Sequence, residues 1–493
     1  MRILHIDIDS LRPDHLGCYG YARITSPAID RLAREGVRFD NVYISDAPCL
    51  PSRTALWTGR AGFRTGVVGH GGTAAQPFIE GRKRGFKGQF HTDGWMTALR
   101  KTGHHTVTVS SFGERHGAWH WYAGYNEIIN PGLAGLERAD QVVPLAIDWI
   151  ERKGRALQDW FLHVNLWDPH TPYRTPAEFG NPFLDAPIPG WFDGSVLERY
   201  RQSYGPHSTR EPNGFDDIDM RAEFPLVPAG LESMQDIRSW IDGYDLGIRY
   251  ADDWVDRLLT CLENADLFEQ SMIVVTADHG ENLGELNIWG DHHTADQFTC
   301  RIPLIVRMPR GAGGGRVDGA LHYHFDWAAT LVELTGGSVP ESWDGRSFAR
   351  QFGAAGESGR EFVITSQGAW SCQRGICFEH ERRSYLCLVT YHDGYKNFRP
   401  LMLFDLVDDP HEQTDIADRR PDLTARATEL LTSWLQEAMR RSEHDVDPLM
   451  TVMREGGPFH CRGALPAYLA RLESTGRRHH AVTLRNRHGA ALE

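Results

Sequence analysis

The chain has 493 residues, 41% hydrophobic and 24% charged, with a formal net charge of -14. That length allows a large core and two subdomains, and the acidic excess argues against a general nucleic-acid binder without excluding a locally bound anionic substrate. No stretch approaches ~18 uninterrupted apolar residues, and the start, Met1-Arg2-Ile3-Leu4-His5-Ile6-Asp7-Ile8-Asp9, lacks the basic start, apolar core and cleavage site of a secretory signal. The expectation is a cytoplasmic protein with no membrane or nucleic-acid partner.

Residues 3–8 read as a strand. Ser26-Pro27 reads as an N-cap followed by Pro at the first helical position, and Gly36 ends that helix. Residues 37–45 read as a strand, 54 onward as a helix, 93–101 as a helix and 106–109 as a short strand. Residues 160–166, 272–277 and 301–308 are continuous apolar strands. Such runs, with helices between, predict an α/β fold with a large, mostly parallel sheet covered on both faces. Ligands gather beyond the carboxyl ends of such strands. Residues 1–355 make up this domain, interrupted at about 171–230 by an irregular insertion rich in Pro, Gly, Tyr and charge. Residues 356–440 read as a smaller α+β subdomain, with strands near 361–366, 385–391 and 401–406 and a helix over 421–440. The basic, less patterned stretch 441–493 reads as an arm for oligomerisation or for covering the site. The eight cysteines are scattered, with no CxxC pair, so apart from Cys49 they read as free buried thiols.

Chemistry-bearing side chains collect at predicted strand ends. Asp9 closes the first strand, with Asp7 on the same face. Asp278-His279-Gly280 closes the strand 272–277, and Asp168-Pro169-His170 follows 160–166. Each alone reads more readily as a cap or turn. Together, carboxylates and an imidazole make a site for a hard or borderline divalent cation. The run Pro48-Cys49-Leu50-Pro51-Ser52-Arg53 is a turn leading into a helix N-terminus. Free N–H groups there favour an anion, and Arg53 adds a fork of donors. The run describes either a nucleophile in an electropositive pocket or a buried structural cysteine, and spacing alone favours the second. Trp119, Trp121, Trp167 and Trp191 lie near these motifs as candidate sugar-stacking faces.

The pattern Cys49-x-Pro51-Ser52-Arg53 followed by Thr58-Gly59 resembles the signature of the type I sulfatases in the alkaline phosphatase superfamily. Asp7 to Gly17, Ser26 to Gly36, Asp168-Pro169-His170-x-Pro172-Tyr173, Asp278-His279-Gly280-Glu281 and Leu403-Phe404-Asp405-Leu406 are similar to family segments in the same order, over roughly residues 1–440. The resemblance implies that Cys49 is oxidised after translation to formylglycine by a maturation enzyme. It implies Asp9, Asp278 and His279 as metal ligands with the modified Cys49. One hydroxyl of the hydrated aldehyde would attack sulfur and expel the alcohol. The second would then lose its proton and expel sulfate, restoring the aldehyde. Arg53 is implied as the clamp on the anionic centre and His170 as sulfate ligand or general acid.

Two family lysines are absent. Gly113-Glu114-Arg115-His116 stands where the family commonly has Gly-Lys-Trp-His, which leaves His116 beside the nucleophile and Arg115 as a compensating cation. In Trp289-Gly290-Asp291-His292-His293, His292 is the positional candidate for the second lysine. Arg115, His293 and Trp167 complete the expected substrate contacts. Ser10 stands where the family often has a second aspartate, so calcium, the usual ion, competes here with manganese or zinc. The reading is a sulfatase for a small anionic ester, a sulfated carbohydrate. A phosphonate monoester or phosphodiester hydrolase with the same nucleophile and a non-catalytic sugar-binding protein are the alternatives.

Overall fold

A computed structural model describes residues 1–80, 88–215, 218–353 and 359–489. In chain order its strands are β1 (Arg2–Ile8), β2 (Val37–Tyr43), β3 (Asp46–Ala47), β4 (His105–Val109), β5 (Glu127–Ile129), β6 (Trp160–Leu166), β7 (Ser271–Thr276), β8 (Asn282–Leu283), β9 (Trp289–Asp291), β10 (Arg301–Arg307), β11 (Arg316–Tyr323), β12 (Phe362–Gln367), β13 (Cys372–His380), β14 (Arg383–His392) and β15 (Leu401–Asp405). Eight of them form one sheet in the order β11-β2-β10-β7-β1-β6-β4-β5. β10 pairs antiparallel with both neighbours, and the other pairings are parallel. The expected α/β architecture is therefore present. Every residue of β6 and β7 is buried, as central parallel strands covered on both faces require. Helices Pro27–Glu35, Ala139–Trp149 and Met234–Asn264 pack together as one cover. Helices Cys49–Thr58, Trp95–Lys101 and His324–Leu334 pack as another.

β12 to β15 form an antiparallel sheet, and β3 adds to its edge by parallel pairing of Asp46 with Ser366 and Ala47 with Gln367. β3 lies just ahead of Cys49, so the small sheet braces the turn that presents this residue. The helix Pro421–Arg441 closes the sheet's core through Leu423, Ala427, Leu430 and Leu431. β13 was not expected from the sequence. Gln373-Arg374-Gly375 hides it, because Arg374 is buried through a 2.7 Å ion pair to Asp447. The helix holding Cys49 starts at that residue, five positions before the expected Thr54. Residues 441–489 carry more regular structure than their composition suggests. Helices Leu465–Ser474 and Arg478–His488 share a core with Tyr204 and Tyr395, against the insertion.

Two buried histidines are expected to make the fold acid-sensitive. His5 on β1 is fully buried among Trp95, Phe161 and His163, and neither ring nitrogen has a hydrogen-bond partner among the described residues. Burial pushes it down to about 3. Burial likewise pushes His324, whose Nε2 donates to Ser52 O at 2.9 Å, down to about 4. The unfolded chain therefore binds more protons than the native state once pH falls below about 6.5. Each group then removes stability at up to about 1.4 kcal/mol per pH unit as pH drops from there towards its folded value. Urea denaturation at pH 7 and pH 5 should show this loss, and His5→Phe should flatten it; an unchanged slope in the variant would remove His5 as a cause.

Candidate active site

Four adjacent parallel strands, β4-β6-β1-β7, end at one edge of the large sheet. Just beyond them come His116, His170, Asp9 and the pair Asp278-His279. Asp9 N donates to Leu166 O at 2.8 Å, which carries the ladder one residue past β1. The helix Cys49–Thr58 is buried along its whole length and brings Arg53 beneath these strand ends. Arg53 Nε donates to Asp278 Oδ2 at 3.1 Å and one terminal nitrogen donates to Asp9 Oδ2 at 3.1 Å. The other terminal nitrogen donates to Asp7 Oδ2, which also meets His163 Nε2 at 3.1 Å. The rings of Phe112 and Trp167 lie 4.9 and 5.7 Å from the guanidinium. Three of Arg53's five N–H donors are thus engaged by Asp7, Asp9 and Asp278.

The arrangement around His279 fits a cation. Its Nδ1 donates to Gly280 O at 2.7 Å, so Nε2 carries the lone pair. Nε2 is buried without a hydrogen-bond partner among the described residues, 3.8 Å from Asp9 Oδ1 and 3.6 Å from Asp278 Oδ2. Lone pairs facing one another in a dry pocket are unfavourable unless a positive ion sits between them. Cys49 Sγ completes the group, with ligand atoms of Cys49, Asp278 and His279 all within 4.8 Å of one another. Ser10 stays outside the donor set, its Oγ donating to Asp9 Oδ1 at 3.1 Å. Burial raises Asp278 to about 7 against the pull of Arg53. Asp9 is held low in spite of burial, by His279 first and then by His170 and Arg53. Burial and then the charges of Asp9 and Asp278 push the Cys49 thiol up.

Imidazoles surround Cys49. His116 Nε2 and His70 Nε2 each lie 3.3 Å from Sγ. His70 Nδ1 in turn lies 3.0 Å from Nε2 of His460, from the C-terminal extension. Burial, then Arg115, pushes His116 down to about 3. Burial also lowers His170 to about 4, with Asp9 opposing. The His292 ring is 4.3 Å from that of His279 and 6.0 Å from that of His170. Arg115 reaches in over Trp167, 5.2 Å from its ring. Glu114, at the position of the absent lysine, is exposed and accepts from Asn130 at 2.7 Å.

Asp9, Cys49, Arg53, Arg115, His116, Trp167, His170, Asp278, His279 and His292 are therefore neighbours. His293 is not among them. It is buried against His207 and stacks on Trp370 at 4.2 Å. Of the other tryptophans, Trp121 packs on Trp57 in the core, Trp191 stacks on His411, and Trp119 faces solvent. The sequence reading missed His70 and His460. Their one signal is an imidazole amid glycines, in Gly69-His70-Gly71-Gly72 and Gly456-Gly457-Pro458-Phe459-His460. A Cβ on Gly71 would lie 2.2 Å from the Phe459 ring, so only glycine lets the two loops meet.

The sulfatase family model matches residues 2–338. The chain belongs to the sulfatase family. Among relatives, it is 27% identical over 357 residues to human iduronate 2-sulfatase, covering 63% of this chain and 60% of that protein. It is 22% identical over 514 residues to N-acetylglucosamine-6-O-sulfatase of Bacteroides thetaiotaomicron, covering 92% and 89%. The chain thus spans about 60% of the length of the iduronate 2-sulfatases. Its fold is shared with the phosphonate monoester hydrolase of Silicibacter pomeroyi, at a TM-score of 0.68 and 21% identity over 90% of this chain and 96% of that one.

The candidate site rests on Arg53. Arg53→Ala would leave three buried carboxylates without their cation. Destabilisation by about 3–5 kcal/mol is expected in metal-free protein, with Arg53→Lys recovering a minority of it. Chemical denaturation in a chelator measures this, and wild-type stability in the alanine variant would show that other groups neutralise the acids.

Proposed function

We propose that the chain hydrolyses a sulfate monoester, probed best with sulfated sugars, through a formylglycine made from Cys49. What carries the reading is the placement of position 49, at the start of a buried helix and touching both the carboxylate–imidazole group and two further imidazoles. A binding protein needs an anion pocket but has no use for a nucleophile position flanked by two proton acceptors. Asp9, Asp278, His279 and the side chain at 49 would hold one divalent cation, and the imidazole favours a borderline ion such as manganese or zinc beside the family's usual calcium. When bound, the cation supplies positive charge and acidifies the nucleophile.

The chain's own groups do the rest. His70 and His116 accept a proton from the hydroxyls of the hydrated aldehyde, first for attack on sulfur and later for release of sulfate. His460 orients His70 from behind. His170 and His292, with rings 6.0 Å apart, stand beside the group as candidates to bind the sulfate or protonate the departing alcohol oxygen, the second role requiring that the bound anion restore the proton that burial removes. Arg115, with Trp167 beneath it, binds a non-bridging oxygen. The sugar assignment rests on the relatives named for iduronate and N-acetylglucosamine sulfates.

A second reading is favoured by one feature. A sulfate monoester, a phosphonate monoester and a phosphodiester each carry one negative charge. With Arg53 engaged below and Glu114 turned outward, the cations facing the substrate are few, which suits any singly charged anion. The phosphonate monoester hydrolase fold fits this as well.

Mass spectrometry of the Cys49 peptide, from protein made with a formylglycine-generating enzyme, should show the aldehyde; a free thiol there would end the mechanism. Cys49→Ala should lower turnover by about a thousandfold or more with its unfolding midpoint kept. Aryl sulfate should be cleaved faster than phosphonate monoester or phosphodiester, and the reverse order would select the second reading.

A further inference from the structure

His207, Asp291 and His293 sit together, and the chemistry above uses none of them. His207 comes from the irregular insertion, Asp291 ends β9 and His293 follows two residues later. His207 Nδ1 lies 2.8 Å from Asp291 Oδ2 and 3.0 Å from His293 Nε2, and His293 Nε2 lies 3.9 Å from Asp291 Oδ1.

Protons do not reconcile these contacts well. If His207 Nδ1–H donates to the carboxylate, Nδ1 has no lone pair for His293, whose Nε2 takes at most a bent share of the same proton. If Nδ1 instead accepts from His293, its lone pair faces a carboxylate oxygen at 2.8 Å. A cation resolves the conflict, because all three atoms then direct lone pairs at it. The separations of 2.8 and 3.0 Å between these atoms fall a few tenths of an ångström short of the roughly 3.3–3.6 Å spanned by tetrahedral ligands at bonds of about 2.0–2.2 Å, a gap that small ring movements on binding would open.

The local structure holds the three groups in place. His207 has φ +56°, rare for a residue with a Cβ and retained where its surroundings enforce it. Its N donates to Gly214 O at 3.0 Å and its O accepts from Trp289 N at 2.8 Å. Asp291 Oδ1 accepts from His292 N at 2.6 Å, which leaves Oδ2 as the ligand atom. Trp370 stacks on His293 with an interplanar angle of 12° and leans on His207 at 4.8 Å. The side chains of His207 and Asp291 keep 11% and 14% exposure, so one corner is open to water.

We propose that His207, Asp291 and His293 form a second divalent-cation site of the zinc class, with two imidazoles, one carboxylate and a water, pinning the insertion to the segment that carries His292. It shares no ligand with the group at Asp9, Asp278, His279 and Cys49, and it stands whether or not Cys49 is converted.

The test is zinc stoichiometry on the full chain, stripped with chelator, reloaded with Zn2+ and measured by plasma mass spectrometry. Asp291→Asn and His207→Ala, with native circular dichroism, should each hold one zinc equivalent fewer than wild type, which holds two where the Asp9 group also takes zinc and one where that group takes calcium. Asp9→Asn/Asp278→Asn should keep one, and replacement of that ion by Co2+ should give the absorption bands of a four-coordinate site. In that double variant, chelator should lower the melting temperature by several degrees. A wild-type zinc content that neither Asp291→Asn nor His207→Ala lowers would overturn the proposal and leave a hydrogen-bonded cluster. Should the double variant not fold, the wild-type and Asp291→Asn stoichiometries decide alone.

Discussion

Three buried carboxylates on neighbouring strand ends repel one another, and the guanidinium of Arg53 is the cation placed among them. Asp7, Asp9 and Asp278 each take one of its nitrogens. An ammonium holds its three donors on one nitrogen, whereas the planar fork of arginine spreads them over three nitrogens and reaches acids set apart. This contact joins the helix Cys49–Thr58 to β1 and to the turn after β7. It thereby sets the position of Cys49 relative to Asp9, Asp278 and His279. Without it the acids would take up protons or move apart, and the lone pairs aimed at a cation would lose their common focus.

Above this floor the site is built mainly from imidazoles. Each comes from a different part of the chain: His116 beyond β4, His170 beyond β6, His279 and His292 around β8 and β9, His70 from a glycine-flanked loop and His460 from the C-terminal extension. Parallel strands deliver several such groups to one edge because their carboxyl ends coincide. The small sheet contributes indirectly, through β3, which fixes the entry to the Cys49 turn. The extension contributes directly, by placing His460 against His70.

Much was legible in the sequence. The run Cys49-x-Pro51-Ser52-Arg53, through its resemblance to the sulfatase signature, marked the family and drew the acids that close apolar runs at Asp9 and Asp278 into one candidate site, because a strand end and a helix start are local features. The buried runs 160–166 and 272–277 announced a covered parallel sheet for the same reason. β13 was hidden, since Arg374 looks like a surface residue until Asp447 neutralises it.

Tertiary structure alone decided the use of each cation and each imidazole. Arg53 reads as a substrate clamp from its motif, yet it faces inward, because three distant acids need its charge more than a solvated anion does. His292 and His293 are adjacent in sequence, yet one ring packs on His279 and the other meets His207. His70 and His460 are 390 residues apart and meet only because glycines let two loops pass closely. Contacts of that span leave no periodicity for a sequence to show. The Cys49 motif was written locally, and its neighbours were chosen by the fold.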